Sequence, residues 1–85
     1  MKKLKIMVKN DEKVYEGTPL SIIKQMKSFA WNWEDRPTAD YIDWMVSQLQ
    51  TMTGVKIETD GGSLKKRAER FIDGILKNGL AEELK

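Results

Sequence analysis

Three amphipathic segments with their own start and stop signals constrain the fold of this chain most. Thr18-Pro19, Thr38 and Ser63 are typical of helix N-termini. Gly54 and Gly79 are typical of the residues that follow a helix. Between these signals, apolar residues recur every three or four positions, which places them on one face of a helix. The sequence therefore predicts three helices, with these apolar faces: Ile22, Ile23, Met26, Phe29 and Ala30; Ile42, Met45, Val46, Leu49 and Met52; Leu64, Ala68, Phe71, Ile72, Ile75 and Leu76.

Two other segments alternate apolar and polar residues, as half-buried strands do. Near the start of the chain, Leu4, Ile6 and Val8 alternate with Lys3, Lys5, Met7 and Lys9. Turn residues 10–12 separate this segment from a second extended segment at 13–16. This pattern predicts a β-hairpin. A three-residue loop sets Val14 opposite Val8, whereas a two-residue loop sets Tyr15 there. Residues 55–58 alternate in the same way and predict a third strand.

These elements predict an α+β domain with the order ββααβα. The hairpin and one short strand form a small three-stranded sheet, and three helices cover one of its faces. A chain of 85 residues is long enough for one hydrophobic core only. We assign that single domain to residues 1–80 and expect residues 81–85 to be a frayed tail.

The residue types that are missing restrict the chemistry. The chain has no histidine and no cysteine, which removes the commonest general base, the commonest metal ligand and any thiolate nucleophile. Carboxylates are present at Asp40 and Asp43, with Glu34 and Asp35 nearby, but acids in the first turns of a helix stabilise it without any other role. We expect no catalytic residue, no metal ion and no cofactor, and therefore no enzyme.

The hydropathy pattern bears on location. No apolar run approaches the ~20 residues that a membrane-spanning helix requires. Lysines interrupt the first apolar residues at every second position, which is typical of a strand and not of a signal peptide. We expect a cytoplasmic protein without membrane contacts.

The aromatic residues are concentrated around the connection between the first two helices. Five of the seven lie between Phe29 and Trp44, and acidic residues accompany them. Successive helical residues are rotated by about 100°, so Trp31 and Trp33 point roughly 200° apart if the first helix continues that far. One of them should then face solvent or a partner. A structural corner, a surface for a partner protein or a second copy, and a small-molecule pocket are the alternatives. The candidate protein-binding residues are Trp31, Trp33, Glu34, Asp35, Tyr41 and Trp44.

The basic residues suggest a different function. Seven lysines against three acids precede Glu34, and six bases against four acids follow Asp60, so an acidic middle separates two basic flanks. Basic side chains on a strand and at the start of a helix bind phosphates in many nucleic-acid-binding proteins. Solvated lysines are also an ordinary protection for an exposed strand. The candidate residues for anion or nucleic-acid binding are Lys3, Lys5, Lys9, Lys65, Lys66, Arg67 and Arg70.

The segment VYEGTPLSIIKQMK, the helix that begins TADYIDWMV and the later strand before the closing helix resemble a group of small uncharacterised bacterial proteins. Some members of that group are associated with phages or other mobile elements. The resemblance implies an accessory role and brings no established activity, cofactor or site residue. The sequence therefore favours a small non-enzymatic interaction module that binds an unknown protein partner or a second copy of itself. Nucleic-acid binding is the alternative.

Overall fold

The computed structural model describes residues 3–9 and 12–84 of the chain. Its elements, in chain order, are β1 (Leu4–Val8), β2 (Lys13–Gly17), α1 (Pro19–Phe29), α2 (Thr38–Thr53), α3 (Leu64–Lys77) and β3 (Ala81–Glu83). The predicted α+β class is confirmed, as is a three-stranded sheet built from a hairpin and one short strand. The strands are antiparallel and lie in the order β2-β1-β3.

The hairpin places β1 in the middle of the sheet with Val8 opposite Lys13 and Ile6 opposite Tyr15. Neither predicted register is therefore correct. The observed register sets Ile6 and Tyr15 side by side on the inner face, where both are buried. Of the predicted turn, residues 10 and 11 lie outside the described residues, and Glu12 has a positive φ of 57° and donates its N–H to the carbonyl of Val8.

The third strand is not where the sequence predicted it. Residues 81–83, expected to be frayed, form β3, which pairs with β1 through Ile6↔Glu83, Met7↔Glu82 and Val8↔Ala81. Ala81 is buried. The backbone N–H groups of Lys9 and Leu84 extend the pairing with bonds to the carbonyls of Leu80 (3.1 Å) and Lys5 (2.7 Å). Lys85 lies outside the described residues.

Residues 55–58 are extended but belong to no strand. Ile57 and Thr59 are buried, whereas Lys56 and Glu58 are exposed and form an ion pair with each other, with Nζ and Oε1 3.5 Å apart. Buried and exposed side chains do alternate in this segment. Its buried side chains pack against α3, where Ile57 contacts Gly74. Alternation of apolar and polar residues indicates that one side of an extended segment is buried. It does not indicate whether a neighbouring strand or a helix covers that side.

The helix boundaries follow local signals closely. Thr18 and Ser63 accept hydrogen bonds from the N–H groups of Ser21 and Lys66 and thereby cap α1 and α3. Gly54 ends α2 in the left-handed conformation. The predicted cap at Thr38 is wrong by one residue, because Thr38 is already helical and Pro37 precedes it without a side-chain cap. In the described residues, no helix combines the length and the apolar character that crossing a bilayer requires.

The core lies between the inner face of the sheet and the three helices. Its fully buried large side chains are Ile6, Ile22, Ile23, Ile42, Phe71 and Ile72. Two residues of the predicted apolar faces are not part of it: Phe29 is 66% exposed and Met52 is 65% exposed. Both lie in the last turn of their helices, beyond the point where neighbouring elements cover the apolar face.

Candidate binding groove

Three aromatic rings form a cluster where α2 begins. Trp33 is buried, with its ring centroid 5.3 Å from that of Tyr41 and 5.5 Å from that of Trp44. Tyr41 and Trp44, one turn apart on α2, stack with centroids 5.9 Å apart. The guanidinium of Arg36 lies 4.9 Å from the Trp33 ring centroid. Trp33 and Tyr41 thus build the predicted structural corner, whereas Trp44 remains 42% exposed at its edge.

The other candidate residues of the aromatic segment lie outside this cluster. Trp31 is 88% exposed and Trp33 is buried, so one of the two rings faces solvent as predicted. Helical rotation is not the cause, because α1 ends at Phe29. Glu34 and Asp35 are also exposed. The connection is held to α1 by the Lys27 ammonium, which donates to the backbone carbonyl of Glu34 at 3.3 Å.

Next to the cluster lies a groove of about 630 Å³, called here the apolar groove. Residues of the hairpin, of α1, α2 and α3, and of the segment after α3 contribute to it. Its lining residues are Val8, Lys9, Lys13, Tyr15, Met26, Phe29, Ala30, Tyr41, Trp44, Met45, Gln48, Leu49, Met52, Thr53, Phe71, Ile75, Gly79 and Leu80. Trp31, Glu34 and Asp35 are not among them.

One wall of the apolar groove is a face of α2. Tyr41, Trp44, Gln48 and Met52 succeed one another at spacings of three or four along that helix. Since a helix rises 1.5 Å per residue, the lining from Tyr41 to Thr53 extends over about 18 Å. Methionine side chains adapt to irregular apolar surfaces, and the lining contains three of them.

The hairpin also contributes to the lining, and its residues carry the charge. Lys9 and Lys13 are the charged residues of the lining, one on each side of the hairpin connection. The Lys13 ammonium lies 4.2 Å from the centroid of the Phe29 ring, and that ring lies 6.4 Å from the ring of Tyr15. Phe29 and Lys13 therefore bring the end of α1 against the hairpin beside the groove.

Sequence reasoning assigned Phe29 and Met52 to the core and did not identify the groove. The exposed apolar surface of this site has a simple cause. The apolar faces of α1 and α2 extend to the last turn of each helix, whereas the neighbouring elements that pack on these faces end before that turn. The sequence did contain a signal for the groove. The apolar faces of the first two helices are longer than the single small core of an 85-residue chain can cover.

Two of the basic candidate residues, Arg67 and Arg70, form intramolecular hydrogen bonds. Arg67 donates from Nε to the carbonyl of Thr59 at 3.1 Å and from Nη2 to the carboxylate of Asp43. Arg70 donates from Nη1 to the carbonyls of Asp60, at 2.8 Å, and Gly61. Both arginines thus attach the extended segment before α3 to that helix.

The lysine candidates are spread over several surfaces. Lys5 lies on the open face of the sheet, opposite Glu16 on β2, and Lys9 lies at the apolar groove. Lys65 lines a smaller cavity of about 260 Å³ together with Glu69, Asp73 and Glu83. Lys3 and Lys66 are exposed. Acidic residues are interspersed with these lysines, and nucleic-acid binding stays a prediction.

The acidic residues are likewise dispersed. Asp40 lies in the first turn of α2 and Asp43 is paired with Arg67. Among residues 3–9 and 12–84, no three carboxylates come together in the arrangement that a metal ion requires.

Comparisons of the chain with protein-family models, curated proteins and solved structures found no match. The resemblance to small bacterial proteins therefore stays a prediction, and any functional argument rests on the groove.

Proposed function

We propose that this chain is a non-enzymatic protein-interaction module that binds an amphipathic helix of a partner protein in the apolar groove. The observation that carries the proposal is the exposure of three large apolar side chains, Phe29, Trp44 and Met52, around one groove. Large apolar side chains that are exposed together around a concave surface are typical of interaction sites and ligand-binding grooves. A cytoplasmic location belongs to the same proposal.

The form of the groove favours a helix as the occupant. The α2 wall is about 18 Å long, which matches roughly three helical turns of a ligand. A helix that docks in such a groove uses apolar residues at i, i+3 or i+4, and i+7. Side chains from a partner at that spacing would meet Trp44, Leu49 and Met52 on the α2 wall, and aromatic and methionine residues are enriched at such contacts.

Peptide selection tests this proposal even while the partner is unidentified. A phage-displayed library of random peptides is panned on the wild-type chain, and each enriched peptide is then assayed by fluorescence anisotropy. We expect enriched sequences to have apolar residues at the helical spacing and to bind at least tenfold more weakly to Met52→Glu. Met52 is largely exposed, so this substitution should leave the free energy of unfolding within about 0.5 kcal/mol of the wild-type value.

Trp31→Ser is the matched control, because it removes a larger exposed apolar side chain that does not line the groove. Binding that is lost in Trp31→Ser and kept in Met52→Glu would place the contact on the predicted segment around Trp31 and refute the groove. Two other results would also contradict the proposal. One is displacement of the peptides by a long-chain fatty acid at micromolar concentration. The other is a concentration-dependent dimer, seen by analytical ultracentrifugation, that Met52→Glu abolishes.

A further inference from the structure

The side-chain amide of Gln48 stands among the apolar residues that α2 contributes to the groove. Gln48 lies one helical turn after Trp44 and one turn before Met52, and all three residues line the groove and are exposed. Four residues of a helix correspond to a rise of about 6 Å. A ligand helix that contacts both Trp44 and Met52 therefore passes over Gln48 and displaces water from its amide.

The amide of Gln48 differs from the hydroxyl of Thr53, which also lines the groove. The Thr53 hydroxyl donates to the carbonyl of Leu49 at 2.6 Å and accepts from the N–H of Val55 at 3.2 Å, so the fold itself satisfies it. The amide of Gln48 forms no hydrogen bond with the described part of the chain. An occupant of the groove thus meets a side chain with two N–H donors and a carbonyl acceptor that need partners.

Loss of water from an unpaired amide weakens binding. A donor or acceptor that is buried without a hydrogen bond costs about a tenfold loss of affinity or more. The backbone groups of a ligand helix are bonded to one another, so the replacement for this water has to come from a side chain of the ligand. A carboxylate has acceptors only and an ammonium has donors only, whereas a second amide has both and can form two reciprocal bonds with Gln48.

We infer that the partner helix carries an asparagine or a glutamine within its apolar face and that this amide pairs with Gln48. This inference rests on the proposed function and makes Gln48 a residue that determines specificity in the groove. A single polar pair inside an apolar helix interface specifies the register of the two helices at some cost in stability. The pair would therefore fix the position of the partner helix along α2, which the non-directional apolar contacts with Trp44 and Met52 define less sharply.

The test starts from the library peptide that binds the wild-type chain most tightly. Each residue of its apolar face is replaced in turn by asparagine and by leucine, and the dissociation constants are measured by fluorescence anisotropy. We expect one position at which the asparagine peptide binds the wild-type chain about tenfold more tightly than the leucine peptide. Gln48→Met keeps the length of the side chain and removes its amide, so this variant should bind the leucine peptide more tightly at the same position.

Gln50→Met is the matched control, because Gln50 is an exposed glutamine of the same helix that does not line the groove. It should keep the wild-type preference for asparagine. A preference that survives in Gln48→Met, or that is lost equally in Gln50→Met, would overturn the inference. Leucine peptides that bind the wild-type chain at least as tightly as asparagine peptides at every position, and that Met52→Glu still weakens, would overturn it while leaving the proposed function intact. Absence of binding by every library peptide would remove both.

Discussion

Gly74 on α3 allows the side chain of Ile57 to approach the helix backbone. A Cβ atom on Gly74 would lie only 2.5 Å from Cγ2 of Ile57 and 3.1 Å from its Cγ1. Ile57 is buried at this contact, and it belongs to the extended segment that Arg67 and Arg70 attach to the same helix. The absence of a side chain at position 74 thus determines how closely the segment packs.

Gly74→Ala should therefore destabilise the protein even though alanine is the better helix former. Overpacking of a buried contact costs about 1–3 kcal/mol, which exceeds the gain of roughly 1 kcal/mol in helix propensity. Urea denaturation gives the free energy of unfolding. The background Ile57→Ala removes the two closest contacts and leaves only Cβ of residue 57, 3.3 Å from the added atom. The same substitution should therefore cost clearly less there. Equal effects in the two backgrounds would show that this contact is not formed.

The two tryptophans that follow α1 should differ sharply in their contribution to stability. Trp33→Ala removes a buried ring from the cluster with Tyr41 and Trp44 and should cost about 3–5 kcal/mol. Trp31→Ala should change the free energy of unfolding by less than about 0.5 kcal/mol, since that ring is exposed. Urea denaturation followed by far-UV circular dichroism measures both. Similar losses from the two variants would contradict the assignment of Trp33 to the core.

Arg67 should stabilise the fold more than its partner Asp43 does. The Arg67 side chain is only 17% exposed and binds the carbonyl of the buried residue Thr59 as well as the Asp43 carboxylate. Arg67→Gln leaves that carbonyl without its donor and should cost about 1–3 kcal/mol. Asp43→Ala loses an exposed ion pair and should cost less than about 1 kcal/mol.

Lys66→Gln is the control for the arginine, because its side chain is exposed on the same helix. We expect this variant to unfold at the wild-type urea concentration. If it were as unstable as Arg67→Gln, the loss would reflect charge at the start of α3 and not the bond to Thr59.

The pairing of β3 can be tested with two neighbouring prolines. Hydrogen-bonded pairs alternate in an antiparallel ladder, and Lys5 and Lys9 bond to residues 84 and 80. The N–H of Glu82 therefore points towards Met7, and that of Glu83 points away from β1. Glu82→Pro should lose at least about 1 kcal/mol of stability, whereas Glu83→Pro should be tolerated at the sheet edge.

Hydrogen exchange provides a residue-specific measurement for the same pair of variants. The amides of Lys5 and Met7 face β3 and should exchange faster in Glu82→Pro than in Glu83→Pro. Identical exchange in the two variants would mean that β3 does not pair with β1 in solution.

The parts of this fold that the sequence predicts correctly are those with local causes. Thr18, Ser63 and Gly54 act on backbone groups within one turn, so their roles follow from residue type alone. At the end of α3, the N–H groups of Gly79 and Leu80 bind the carbonyls of Leu76 and Ile75, and the predicted helix ending is confirmed. These signals act independently of the rest of the chain.

The third strand and the groove depend on contacts between distant residues. Residues 81–83 have one apolar side chain and low strand propensity, so their pairing derives from the open edge of β1 and not from their own composition. Lys13 and Phe29 meet only after the hairpin and α1 are packed. A periodic pattern shows that Met52 belongs to an apolar face but does not show where the covering elements end.

The position of β3 at the far end of the chain from β1 has a consequence for biosynthesis. One side of β1 has no partner until the ribosome has released the segment after α3, and such nascent edges readily recruit neighbouring polypeptides. Lys5 on β1 and the flanking Lys3 and Lys9 would repel other copies during this interval. Their role would then be to keep newly made chains apart until the sheet closes.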